Sequence, residues 1–173
     1  GDNTGEESSG GALIGWIENH GGSSTITIEN VKVNGIKAEG FKYIGGLIGY
    51  NEGTTMNLTD CSVNGTEGSC LNSTLNDSGN YKGHVGGLLG LWNKGNITNC
   101  EVKNLAIKHG TDDMTGSSNR AGALVGTKYS GVTVTSATVE NVTVDGANAT
   151  TASLFGPNAS HVSDSDKSNV TIK

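Results

Sequence analysis

With 173 residues, 33% hydrophobic and only 16% charged, the chain is long enough for one domain with a buried core. Its charge content and single proline, Pro157, set it apart from disordered chains, which are highly charged and proline-rich. A net charge of −6 and a lone arginine, Arg120, argue against nucleic acid as a partner, and no apolar run reaches the length of a membrane-spanning helix.

Residues 1–9 are small, polar and acidic and read as a flexible tether. The chain does not begin with Met, so the tether reads as the product of removing a signal or tag, and export is expected. Residues 10–173 read as a single domain. Within it Ile26-Thr27-Ile28 and Val132-Thr133-Val134 alternate with period two, and no stretch of ten residues carries a helical period. The class is all-β.

A glycine-rich apolar segment punctuates the domain. Gly10-Gly-Ala-Leu-Ile-Gly15 is followed by Ile44-Gly-Gly-Leu-Ile-Gly49, Val85-Gly-Gly-Leu-Leu-Gly90, Ala121-Gly-Ala-Leu-Val-Gly126 and a decayed Thr151-Ala-Ser-Leu-Phe-Gly156. The leucines are Leu13, Leu47, Leu88, Leu124 and Leu154, so units of about 35 residues recur, the mark of a stacked architecture. Two further strand-like pieces follow each segment, as in Ile97–Asn104 then Leu105–Ile107. Asn34-Gly35, Asn64-Gly65 and Asp145-Gly146 supply turns. Three strands and three corners per unit predict a right-handed parallel β-helix of about four to five rungs. Loop excursions at 66–84 and 110–120 absorb the differences in spacing.

Stacking predicts columns of equivalent residues about 4.8 Å apart. Ile28/Val63/Val102/Val139 and Ile26/Cys61/Cys100/Ala137 are expected inside; Thr25/Asp60/Asn99/Ser136 and Thr27/Ser62/Glu101/Thr138 are expected to face water. In Ile44–Tyr50, read as one strand, Ile44, Gly46 and Ile48 fall on one face and Gly45, Leu47 and Gly49 on the other. Both faces are then covered, with glycine allowing close approach.

The repeated GGLIG and GGLLG segments resemble the GLUG motif (Gly-Leu-any-Gly), over roughly residues 10–156. The resemblance implies a β-helical module of bacterial surface proteins, including adhesin-like proteins. It transfers no catalytic residue, because the motif contains none.

Chemistry-bearing residues are sparse. Cys61 and Cys100 share a column within disulfide range, but in-register side chains point the same way, so stacked buried thiols are the favoured reading, and Cys70 is left over. No Cys-x-x-Cys pair or spaced histidines indicate a metal, and no cofactor is expected; His20, His84, His109 and His161 read as surface residues. Asp164-Ser-Asp166 opens like a calcium loop but lacks its turn glycine. On the Thr25/Asp60/Asn99 column adjacent rungs offer no carboxylate pair for glycoside hydrolysis, and Glu29 and Glu140 are equivalent but three rungs apart. Non-enzymatic function is therefore expected, with a polysaccharide lyase or hydrolase built from Asp77, Lys82, Asp112, Asp113 and Arg120 as the alternative, and a structural spacer as a third reading. The expected ligand surface is an aromatic corner of Trp16, Tyr50, Trp92 and Tyr129, each within three residues of the motif's last glycine, flanked by Asn51 and Asn93, against a favoured structural alternative in which the rings shield strand ends and fill space above the glycines. Its partner would be an extracellular glycan or a host or cell-surface protein. The expected location is the bacterial cell surface or outer envelope, with a lipid anchor upstream of the tether as one means of attachment. Open β-helix ends offer a route to self-association.

Overall fold

A computed structural model describes residues 8–19, 21, 23–73, 83–109, 120–150, 153–156 and 169–173. These residues form a β-solenoid of about four turns with three sheets and no helix. The first sheet stacks β1 (Ser9–Gly11), β6 (Tyr43–Gly45), β10 (His84–Gly86) and β13 (Arg120–Gly122), all parallel. The second stacks β2 (Ile14–Glu18), β7 (Ile48–Thr59), β11 (Leu89–Thr98) and β14 (Val125–Val134), and β3 (Thr25–Glu29) pairs with the second half of β7. In the third, β4 (Lys32–Asn34), β8 (Ser62–Asn64), β12 (Cys100–His109), β15 (Ala137–Val144) and β17 (Val170–Ile172) stack in parallel. There β5 (Lys37–Glu39) and β9 (Cys70–Ser73) extend the ladder onto the second half of β12, and β16 (Ala147–Asn148) is an antiparallel return on β15.

The glycine segment is a corner, not the continuous strand expected from its sequence. Tyr43–Gly45 closes the first sheet, Gly46 and Leu47 turn, and Ile48 opens the second. The turn itself is bonded from rung to rung: Leu13 N–H donates to Leu47 O at 3.0 Å, Leu47 N–H to Leu88 O at 2.9 Å, and Leu88 N–H to Leu124 O at 2.8 Å. Gly46 occupies a spot where a Cβ would lie 2.1 Å from Gly87 O and 2.8 Å from Val63 Cγ2. Only hydrogen fits there, so the corner can pack against the core edge of the third sheet. The leucines then form a column whose members Leu47, Leu88, Leu124 and Leu154 are fully buried, each burial worth about 2 kcal/mol.

A second corner separates the second and third sheets. Asn30, Asp60, Asn99 and Asn169 all take left-handed backbone conformations there, with φ between 51° and 59°. Asn and Asp tolerate that region better than other residues with a Cβ, which explains their recurrence. A third column bears an asparagine ladder: Asn104 Nδ2 donates to Asn64 Oδ1 and Asn141 Nδ2 to Asn104 Oδ1, both at 2.9 Å.

The core columns differ from the expected ones in the first rung. Val63, Val102 and Val139 do stack, but Val33 joins them, and Ile28 pairs with Leu58. Ile26 pairs with Met56, while Cys100 pairs with Ala137. In the water-facing columns Lys32, not Thr27, joins Ser62, Glu101 and Thr138, and Thr25 pairs with Thr55. Cys61 and Cys100 are buried free thiols, and Cys70 is a free thiol at intermediate exposure. Part of the expected excursion 66–84 rejoins the ladder as β9. Residues 74–82 and 110–119, with Asp77, Lys82, Asp112 and Asp113, lie outside the described residues, as do His20, His161 and Asp164–Asp166.

Candidate functional site

Two register columns face one another beside the glycine corner. In the first sheet Ser9, Tyr43, His84 and Arg120 stack in order; in the second, Trp16, Tyr50, Leu91 and Thr127 do. Parallel stacking places like positions one rung apart, so aromatic residues at either position meet. The Trp16 and Tyr50 rings stack with centroids 4.3 Å apart and planes inclined by 25°. Tyr43 meets Tyr50 edge-on at 4.5 Å and Trp16 at 6.1 Å. The His84 ring stacks on Tyr43 at 4.8 Å. Trp16, Tyr43 and Tyr50 keep part of their surface open, whereas His84 is 3% exposed.

The polar end is built around His84. Its Nδ1 lies 2.6 Å from Thr127 Oγ1, and its Nε2 lies 3.3 Å from Arg120 Nη1. A guanidinium can only donate, so Nε2 accepts, and Nδ1–H donates to the threonine hydroxyl. His84 is therefore the neutral Nδ1–H tautomer. Burial, followed by the charges of Arg120, Lys42 and His109, holds its pKa well below the usual histidine value. Lys42 Nζ sits 5.4 Å from the centre of the Tyr43 ring, a cation–π distance. At the opposite end Glu18 and Glu52 pair in register, and burial together with a hydrogen bond to Glu52 raises the Tyr50 pKa.

The family model of the GLUG motif matches residues 42–66, which are one turn of the solenoid from Lys42 through β6, β7 and β8. The chain carries a GLUG motif. No curated protein and no solved structure matches the chain. The GLUG turn contributes Tyr43 and Tyr50, and the rungs stacked on it contribute Trp16, His84, Arg120 and Thr127.

Of the expected aromatic corner, the solenoid brings together Trp16 and Tyr50 only, as a stacked pair. Trp92 is corrected: it pairs with Asn51 and Lys128, faces the core at 0% exposure, and donates its Nε1–H to Lys94 O at 3.0 Å. Asn51 is equally buried, its Nδ2 donating to Thr54 O at 2.9 Å. Asn93 is half-buried at the register irregularity of β11, and Tyr129 is 44% exposed two residues past Thr127. His84 and His109 are buried rather than on the surface, since both begin or end strands next to the core. Sequence reading passed over Tyr43, took His84 for a surface residue, and placed Arg120 only in the enzymatic alternative. A signal was present, because each immediately precedes the repeated apolar segment and so shares one column.

Proposed function

We propose that this GLUG-bearing solenoid is a non-catalytic, exported module of the bacterial cell surface, adhesin-like, which binds a glycan or protein ligand on the aromatic corner. The supporting observation is the partly open Trp16–Tyr50–Tyr43 cluster, held by three parallel strands of two adjoining sheets. Ring faces supported by neighbouring rings need little ordering on binding, and Tyr and Trp dominate interface hot spots. The adjoining Glu18, Glu52 and Lys42 add polar groups of the kind that orient a ligand.

A glycan and surface-protein binding screen with the intact chain tests this reading. It should be coupled to assays for new reducing ends and unsaturated products. Binding without turnover, abolished in a folded Trp16→Ala/Tyr50→Ala double variant, is the expected result. Undiminished binding in that variant, or product formation, would overturn it.

A further inference from the structure

Resting on the aromatic-corner reading, we propose that the ligand is an acidic glycan whose hexuronate carboxylate is received by Arg120. The stripe Trp16, Tyr50, Tyr43, His84 and Arg120 climbs three rung steps, about 14 Å, which suits a short oligosaccharide better than a single sugar. It is electrically graded. Glu18 and Glu52 flank its aromatic end, whereas Arg120 closes the other and Lys42 lies over Tyr43 between them.

The decisive feature is the partner that holds Arg120. A structural arginine is ordinarily fixed by a carboxylate, which cancels its charge. Here the guanidinium is positioned by the lone pair of a buried, neutral imidazole that is itself fixed by Thr127. Among the described residues no carboxylate forms an ion pair with Arg120. Among the described residues the side chain is thus oriented without being neutralised, and at its intermediate exposure it has further N–H groups in the fork that matches a carboxylate. A local positive end on a protein of net charge −6 points to an anionic group of the ligand. His84 is a positioning residue in this arrangement, and Arg120 is the recognising one.

The test is calorimetric titration of the intact chain with a panel of hexuronate oligosaccharides, each paired with its carboxyl-reduced, neutral counterpart. Sulfated neutral oligosaccharides form a third arm. The acidic member of each pair should bind at least about tenfold more tightly, the order expected of a charge-assisted contact. Arg120→Gln, with an unchanged melting temperature, should bring the acidic member down to the neutral one and leave the neutral affinity intact. His84→Gln, checked for an unchanged melting temperature, should erode the same preference for the acidic member. Equal affinity for acidic and neutral sugars, or preference for the sulfated arm, would overturn the carboxylate assignment while leaving the aromatic-corner reading in place. Binding of acidic sugars that survives Trp16→Ala/Tyr50→Ala would instead overturn both.

Discussion

Trp92 stands beside Asn51 in register, one position past the level at which Tyr50 stacks on Trp16. Successive side chains of a strand point to opposite faces, so that single step carries the indole from the surface into the core. Its replacement therefore separates packing from recognition. Trp92→Ala should cost about 3–5 kcal/mol in urea denaturation, from lost burial and the cavity left behind, while the folded fraction keeps its ligand affinity. Trp16→Ala should show the reverse pattern, with affinity lost and stability changed by about 1 kcal/mol. Equal stability losses for the two variants would contradict the assignment of faces.

The glycine corner makes a second, graded test. At Gly46 a methyl group meets Gly87 O and Val63 at distances that cannot be relieved without moving a rung. Gly46→Ala should destabilise by about 3 kcal/mol, the upper part of the range for overpacking. At Gly68, φ is +80° but nothing lies within 4 Å, so Gly68→Ala should cost only the left-handed backbone penalty, about 1 kcal/mol. Denaturant midpoints at a constant slope would measure both, and a reversal of their order would refute the steric account.

Asn104 combines a left-handed φ of 51° with two side-chain bonds of the asparagine ladder. Asn104→Gly keeps the backbone freedom and loses both bonds, for an expected cost of about 1 kcal/mol in this exposed setting. Asn104→Ala loses both and must also adopt the left-handed region, which raises the cost to about 2–3 kcal/mol. If Ala were tolerated better than Gly, backbone conformation would not be what selects asparagine there.

His84 links stability to pH. Its folded-state pKa lies well below the unfolded value of 6.5, so between the two the unfolded chain binds more protons. Stability from this group is complete above pH 6.5 and declines as pH falls below it toward the folded pKa. Protonation would also turn Nε2 into a donor facing the Arg120 guanidinium. Melting temperatures from pH 7.5 to 5 should fall for the native chain and fall less for His84→Asn. Parallel curves would show that another group controls the window.

The repeat of leucine and glycine was enough to recover the class, the stacking and the columns beyond the first rung, because Leu47, Leu88 and Leu124 meet one steric demand at one corner. The first rung slipped for a physical reason. Thr25–Val33 alternates on both sides of Asn30, so two frames five residues apart bury equally good side chains; the left-handed turn at Asn30 chooses between them. The site was half legible. Trp16 and Tyr50 were visible as aromatics after the motif, but Trp92 was one position out of phase, and His84 acquires its meaning only from Thr127 and Arg120, 43 and 36 residues away.

The two ends of the leucine column are unlike. Leu154 is wholly covered, whereas Leu13 leaves 46% of its surface in water. In a stack where each turn leans only on its neighbours, this sets a gradient in local opening. Amide protons should exchange soonest around Leu13, where Trp16 sits, and slowest in the middle turns. Trp16, at the edge of the proposed ligand surface, thus belongs to the turn whose leucine is the most open of the column.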